Sequence, residues 1–228
     1  PNFKTIAKFR KDNIDAITKS LKSCVRVCIN LDLIEGNILF VDGTKIRANA
    51  GIGSHKDKTT LEKRLKHIDE AIEKLLKDIE TIDKLEENQS SYVEMSKELS
   101  ESKKLKEKVE IALKNIEELN VSSINMTDKD AIKVKGRQGM HAGMNHQVVT
   151  DGKHGLIVSS DVVKEANDKR QLAKQITKAN KVLEKPCKIA VGDSGYSTAE
   201  ECEKLVKVEI EVIVPNQEQA SHKKEEEK

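Results

Sequence analysis

The chain has 228 residues, a formal net charge of +2, 35% charged residues and only 2% aromatics, with no tryptophan. That length allows one good core with an appendage, and the abundance of charge points to a long solvated helical part rather than to extra core. No apolar run reaches membrane-spanning length and no signal peptide is visible, so neither a membrane protein nor an exported one is expected.

Charge is clustered rather than excessive. Residues 1–30 carry Lys4, Lys8, Arg10, Lys11, Lys19, Lys22 and Arg26 against Asp12 and Asp15, and a second basic cluster is Lys129, Lys133, Lys135 and Arg137. Such clusters can meet phosphates, although solvated surface is their commoner role. Cys24, Cys28, Cys187 and Cys202 form no CxxC pair and have no histidine beside them in sequence for a zinc site. They read as reduced thiols, and the chain as intracellular. It begins at Pro1 and ends in the charged run 222–228, which reads as a piece cut from something longer at both ends.

In chain order, residues 3–35 are expected to be helical. Phe3, Ile6 and Phe9, then Ile14, Ile17, Leu21, Val25 and Cys28, recur at three- and four-residue steps, with Asp12 as a cap between two helices. Gly36 and Asn37 make a turn into a short buried strand over 38–41.

Residues 58–119 carry a heptad seam: Leu61, Leu65, Ile68, Ile72, Leu75, Ile79 and Ile82, resuming at Leu105, Val109, Ala112, Ile116 and Leu119. Thr59 with Glu62 and Ser91 with Glu94 resemble capping boxes at the two starts. The break at 88–91 falls near the midpoint, which favours an antiparallel hairpin of two helices, each roughly 45 Å long, over one helix that dimerises through its seam.

The remainder alternates. Residues 144–150 and 155–160 flank Asp151 and Gly152 as a β-hairpin. Residues 168–183 form an amphipathic helix with Leu172, Ile176, Ala179 and Leu183 on one side. A strand over 187–192 follows, then a helix to about Val206 opened by a Ser197/Glu200 capping box, then a strand over 210–214 closed by Pro215.

Two of these segments share a design: an apolar run that ends in aspartate beside glycine, at Val41-Asp42-Gly43 and at Val191-Gly192-Asp193-Ser194-Gly195. Either aspartate alone reads as the start of a turn. Together, two carboxylates delivered by neighbouring strands can hold divalent cations on a phosphodiester. Without the helical hairpin the element order is β-β-β-α-β-α-β. That matches a ribonuclease-H-like core, in which the first and fourth strands lie side by side. The expected fold is therefore α/β: such a core (37–56 and 121–215), an inserted coiled-coil hairpin (57–120), an N-terminal helical segment (1–36) and a polar tail (216–228).

At this point the chain resembles an insertion-sequence transposase of the DDE class, incomplete at both ends. The likeness rests on the opening segment 1–10, on 41–50 around Asp42, on 144–151 with Asn145 and Gln147 (Met144 standing where the family has Tyr), on Ala166-Asn167-Asp168, and on 192–196 around Asp193. The resemblance implies a two-metal phosphoryl transferase. Asp42 and Asp193 would be the catalytic, metal-binding carboxylates for Mg²⁺ (or Mn²⁺), nicking transposon ends and joining them to target DNA. It also implies double-stranded DNA as partner, a homo-oligomer in the full-length protein, and a cytoplasmic, nucleoid-associated location.

The family's catalytic glutamate, on a helix beyond the last core strand, has no counterpart here. Glu209, Glu211, Glu218 and Glu225–Glu227 are all unsuited to it. The chain is thus expected to be a fragment or decayed copy without catalysis alone.

Lys45 and Arg47 alternate after Asp42, so an extended backbone puts them on one face towards DNA phosphate; with Lys133, Lys135 and Arg137 they are the candidate DNA contacts. His141, His146 and His154 read as exposed loop histidines, and residues 136–139 as a linker. The competing readings are a non-catalytic coiled-coil assembly or scaffold module and another ribonuclease-H-like nuclease.

Overall fold

The computed structural model describes residues 2–85, 89–136 and 139–216. The chain divides into two compact units, one of residues 1–46 with 144–228 and one of 47–143. Each is described by itself. No helix among the described residues is long and apolar enough to cross a membrane.

The first unit opens with α1 (Phe3–Asp12) and α2 (Ile14–Asn30). The break falls at Asn13, whose side-chain amide donates to the Phe9 carbonyl at 2.9 Å; Asp12 is still helical and does not cap. α2 stops before residue 35 because Asp32 takes a left-handed φ of +56°. Leu33 and Ile34 then bond back to the Cys28 carbonyl.

The sheet of this unit contains β1 (Ile38–Arg47), β5 (Gly139–Asp151), β6 (Ile157–Val163), β7 (Ile189–Gly192) and β8 (Glu211–Ile213). Its order is β6-β5-β1-β7-β8. β5 and β6 are antiparallel, while β1–β7 and β7–β8 are parallel. The first residues of β5 belong to the other unit, where they pair antiparallel with β4 (Ile132–Gly136), the sixth strand. The architecture is a mixed α/β fold with a six-stranded mixed sheet, N-terminal helices and an antiparallel helix pair.

β1 is longer than the expected 38–41 and is not buried on both faces. Leu39 and Val41 are buried, whereas Ile38 and Phe40 are exposed at 38% and 45%. This period of two is the signature of a strand covered on one side. The covered side meets α5 (Leu172–Leu183), whose Leu172, Ile176, Ala179 and Leu183 stripe is buried as its periodicity predicts. α6 (Ala199–Val206) is preceded by Thr198, not by a Ser197/Glu200 capping box. Thr198 donates its hydroxyl to the Lys169 carbonyl, and the buried carboxylate is Glu201, which accepts from the Ala173 N–H at the start of α5.

The β5–β6 turn is held by Asp151, 1% exposed. Its carboxylate accepts the Gly36 N–H at 2.6 Å and the Lys153 N–H at 2.9 Å.

In the second unit α3 (Lys58–Leu85) and α4 (Gln89–Leu119) form the antiparallel pair. Ion pairs show the direction: Lys58 near the start of α3 meets Glu117 near the end of α4 at 2.8 Å, and Asp69 meets Lys106 at 2.7 Å. The seam buries Leu61, Ile68, Val109, Ala112 and Ile116, with Leu65, Ile72, Leu105 and Leu113 packed against them. Leu119 departs from it at 44% exposure, because its helix ends there. The caps differ from expectation. Asp57, not Thr59, accepts the Thr60 N–H at the start of α3, and α4 begins at Gln89, two residues ahead of Ser91. Asn88, in the expected break, lies outside the described residues.

The base of the pair is closed by β2 (His55–Asp57) and β3 (Ser123–Asn125), paired antiparallel. These strands, like β4, are too short to leave a periodic trace in the sequence.

Candidate functional site

β1 and β7 run parallel in register, with Phe40 opposite Val191 and Val41 opposite Gly192. The next step along both chains is Asp42 and Asp193. Adjacent strands lie about 4.8 Å apart and paired positions face the same way, so the register continued by one residue brings these two positions alongside each other. Val41 and Gly192 are buried, and the aspartates one residue on are both exposed.

The expected location of Asp42 at the end of its strand is not what the structure has. β1 continues to Arg47, so Asp42 is mid-strand and its turn-starting role is excluded. Asp193 does follow the last residue of β7, and its carboxylate accepts the Gly195 N–H at 2.8 Å to open the short 3-10 turn of Ser194–Tyr196. Asp42 Oδ1 accepts the adjacent Gly43 N–H at 2.8 Å. Among the described residues no hydrogen bond reaches the second oxygen of either carboxylate.

A polar network is built against this pair. Asn145 and Gln147, both 0% exposed, occupy alternate inward positions of β5, where an apolar side chain is the norm. Tyr196, 1% exposed, donates its hydroxyl to Gln147 Oε1 at 2.6 Å. Gln147 Nε2 donates to Asp168 Oδ1 at 2.6 Å and to Asn145 Oδ1 at 2.8 Å. Asn145 Nδ2 donates to Asp168 Oδ1 at 2.9 Å, and the Lys45 ammonium contacts both Asp168 oxygens at 2.8 and 2.9 Å.

Gly43 is the residue that lets this network approach β1. A Cβ there would lie 2.6 Å from Gln147 Nε2 and 2.8 Å from Asp168 Oδ1. Tyr196 is held firmly protonated, above the ordinary phenol range, first by burial and then by the negative charges of Asp168, Asp42 and Asp193. All three carboxylates therefore act on one hydroxyl.

The expected DNA contacts separate. Lys45 is engaged by Asp168, with side chains 16% and 21% exposed. In the second unit Lys133 and Lys135 are exposed on either side of buried Val134, so they share the solvent face of β4, and Arg47 is exposed in the same unit. Arg137 lies outside the described residues, as do Glu218 and Glu225–Glu227.

His141 and His146 are on β5 rather than in a loop, and His154 is in the β5–β6 turn. His146 Nε2 pairs with Ser160 Oγ at 2.7 Å. The four cysteines are free thiols.

The donor chemistry of the Asp42/Asp193 pair suits a hard cation such as Mg²⁺, which is commonly held by one or two carboxylates with phosphate and water completing the shell. A third carboxylate is not supplied: among the described residues no group of three or more His, Cys, Asp or Glu could hold a metal.

Sequence reasoning singled out Asp42 and Asp193 and assigned no role to Asp168, Gln147 or Tyr196. The legible signal was the presence of two amides at inward positions of a predicted strand. Comparison of the chain with protein-family models, with curated proteins and with solved structures returns no match.

Proposed function

We propose that this chain carries the ribonuclease-H-like core of a DDE-type DNA transposase, a metal-dependent phosphoryl transferase whose acidic site is incomplete. One observation carries the reading: β1 pairs with β7 in parallel through Val41 and Gly192, the residues directly before Asp42 and Asp193, and both aspartates are exposed. The strand order β6-β5-β1-β7-β8, with its antiparallel and then parallel pairings, supports it.

Asp42 and Asp193 would each offer the oxygen that no protein donor occupies to Mg²⁺ or Mn²⁺. When bound, such ions supply an activated water or DNA 3′-hydroxyl and neutralise the leaving oxygen. The backbone N–H groups of Gly43 and Gly195 hold the other oxygen of each carboxylate. Exposed Arg47, Lys133 and Lys135 provide positive charge for duplex phosphates at transposon ends and target. With no third carboxylate among the described residues, the chain binds metal and DNA without cleaving.

The test is Mn²⁺ titration by calorimetry on the wild type, Asp42→Asn and Asp193→Asn, beside a nicking assay on transposon-end DNA. Wild-type binding that either substitution removes, with no nicking, is expected. Absence of Mn²⁺ binding, or binding indifferent to both substitutions, sinks the metal site; metal-dependent nicking by this chain sinks its incompleteness.

A scaffold role is the second reading. It is favoured by the apolar surface of α1 and α2, where Phe3, Phe9 and Leu21 are 75%, 60% and 64% exposed.

A further inference from the structure

Asp168 is the convergence point of the polar network and the candidate for a third carboxylate with Asp42 and Asp193. Its oxygen inventory argues against that role. A carboxylate offers about four lone-pair sites. Oδ1 accepts from Lys45 at 2.8 Å, Asn145 at 2.9 Å and Gln147 at 2.6 Å, and Oδ2 accepts from Lys45 at 2.9 Å. Oδ1 is fully taken up, Oδ2 keeps one lone pair, and the adjacent Lys45 ammonium repels a cation that would use it.

The partners of Asp168 identify what it does instead. Lys45 stands three residues beyond Asp42 on β1. Gln147 lies under Gly43, the neighbour of Asp42, as the 2.6 Å approach to a Cβ at that glycine shows. Through its Oε1, Gln147 also holds the hydroxyl of Tyr196, three residues beyond Asp193. The Tyr196 ring packs on Gly192, where an added Cβ would sit 3.3 Å from the tyrosine. Asp168 thus ties β1 and the β7 turn together from beneath, one strand step from each exposed aspartate. Asn145 anchors Asp168 in turn, donating to the Glu165 carbonyl at 2.9 Å as well as to the carboxylate.

We infer that Asp168 is a positioning residue: through Lys45 on one side and Gln147–Tyr196 on the other it sets the spacing of the Asp42 and Asp193 carboxylates for a divalent cation, and is not itself a ligand. The inference rests on the metal-binding reading above and specifies which residues make that site rigid. Donors behind first-layer ligands are typically worth 10- to 100-fold in metal affinity.

The experiment measures Mn²⁺ affinity and stoichiometry by calorimetry, with unfolding midpoints in parallel, for the full chain and four variants: Asp42→Asn, Asp168→Asn, Tyr196→Phe and Asp151→Asn. Asp151 is a buried, hydrogen-bonded carboxylate at the far end of β5, so its variant reports loss of stability alone. Asp168→Asn is expected to weaken Mn²⁺ binding about tenfold with unchanged stoichiometry. Asp151→Asn is expected to lower the midpoint and leave affinity unchanged.

Unaltered affinity in Asp168→Asn, with binding abolished in Asp42→Asn, overturns the positioning role and leaves the metal site standing. A lower stoichiometry in Asp168→Asn makes it a ligand and also overturns the inference. Equal loss of affinity in Asp151→Asn reduces the effect to general destabilisation. A wild type that binds no Mn²⁺ overturns both readings. Should Asp168→Asn fail to fold, Tyr196→Phe decides, because it removes only the bond to Gln147. About threefold weaker binding, the scale of one neutral hydrogen bond, supports the inference, and unchanged affinity overturns it.

Discussion

Gly43→Ala probes the closest approach in the first unit. The added methyl would stand 2.6 Å from Gln147 Nε2 and 2.8 Å from Asp168 Oδ1, where ordinary contact begins near 3.4 Å. Gly43 has no left-handed φ, so its backbone accepts alanine and the whole penalty arises from crowding. Gln147 cannot retreat freely, since its amide is held by Asp168, Asn145 and Tyr196. Overpacking of this kind costs about 1–3 kcal/mol, and weakening one hydrogen bond to a charged group adds about 1.5–3 kcal/mol if it is lost outright. Partial relaxation sets the expected loss near 2–4 kcal/mol, a large share of a typical domain stability of about 5–15 kcal/mol. With a urea slope of about 1–3 kcal/mol per molar, the midpoint should fall by about 1–2 M. Gly53→Ala, whose Cβ would meet nothing within 4 Å, serves as the reference and should stay within about 0.5 kcal/mol. A Gly43→Ala midpoint equal to that reference would refute the close packing of β1 on Gln147 and Asp168.

Two further outcomes concern the second unit. Leu61→Ala, at a 0% exposed seam position, should destabilise the helix pair by about 2–5 kcal/mol, read from thermal loss of helical circular dichroism; Leu76→Ala, 42% exposed, should leave that melt within about 0.5 kcal/mol. His55 is 8% exposed and neither ring nitrogen has a hydrogen-bond partner among the described residues. Burial first, and then the charge of Lys133, lower its pKa from 6.5. The folded state therefore favours the neutral ring, and the unfolded chain takes up a proton first as pH falls. The stability His55 contributes is fully present above about pH 6.5 and is lost as pH drops from there through its lower folded value. His55→Gln should flatten the pH dependence of the helix-pair melt between pH 7.5 and about 5; an identical profile in wild type and variant would show that His55 does not control it.

Local periodicity was enough to foresee the helix pair. Its seam repeats every three or four residues, and helical neighbours are neighbours in sequence, so Leu61 through Ile116 could be placed without knowing anything else about the fold. The α5 stripe was legible for the same reason. The two aspartates were visible because each comes after an apolar run and sits beside glycine.

Three kinds of feature were not legible. Strands β2, β3 and β4 have only 3, 3 and 5 residues, too few for a pattern, and exist because a partner strand satisfies their backbone groups. Caps moved by one or two residues, to Asn13, Asp57 and Thr198, since several polar residues compete at each helix start and tertiary contacts choose among them.

The third kind is the Asp168 network, whose members come from residues 45, 145, 147, 168 and 196. Nothing in a one-dimensional pattern couples positions so far apart. Their pairing follows from the register of β5 on β1, which determines which inward amide lies beneath Gly43. The periodic, short-range part of this protein was thus written along the chain, while the long-range part, which carboxylates are exposed together and which one is sequestered behind them, was decided only when the strands came into register.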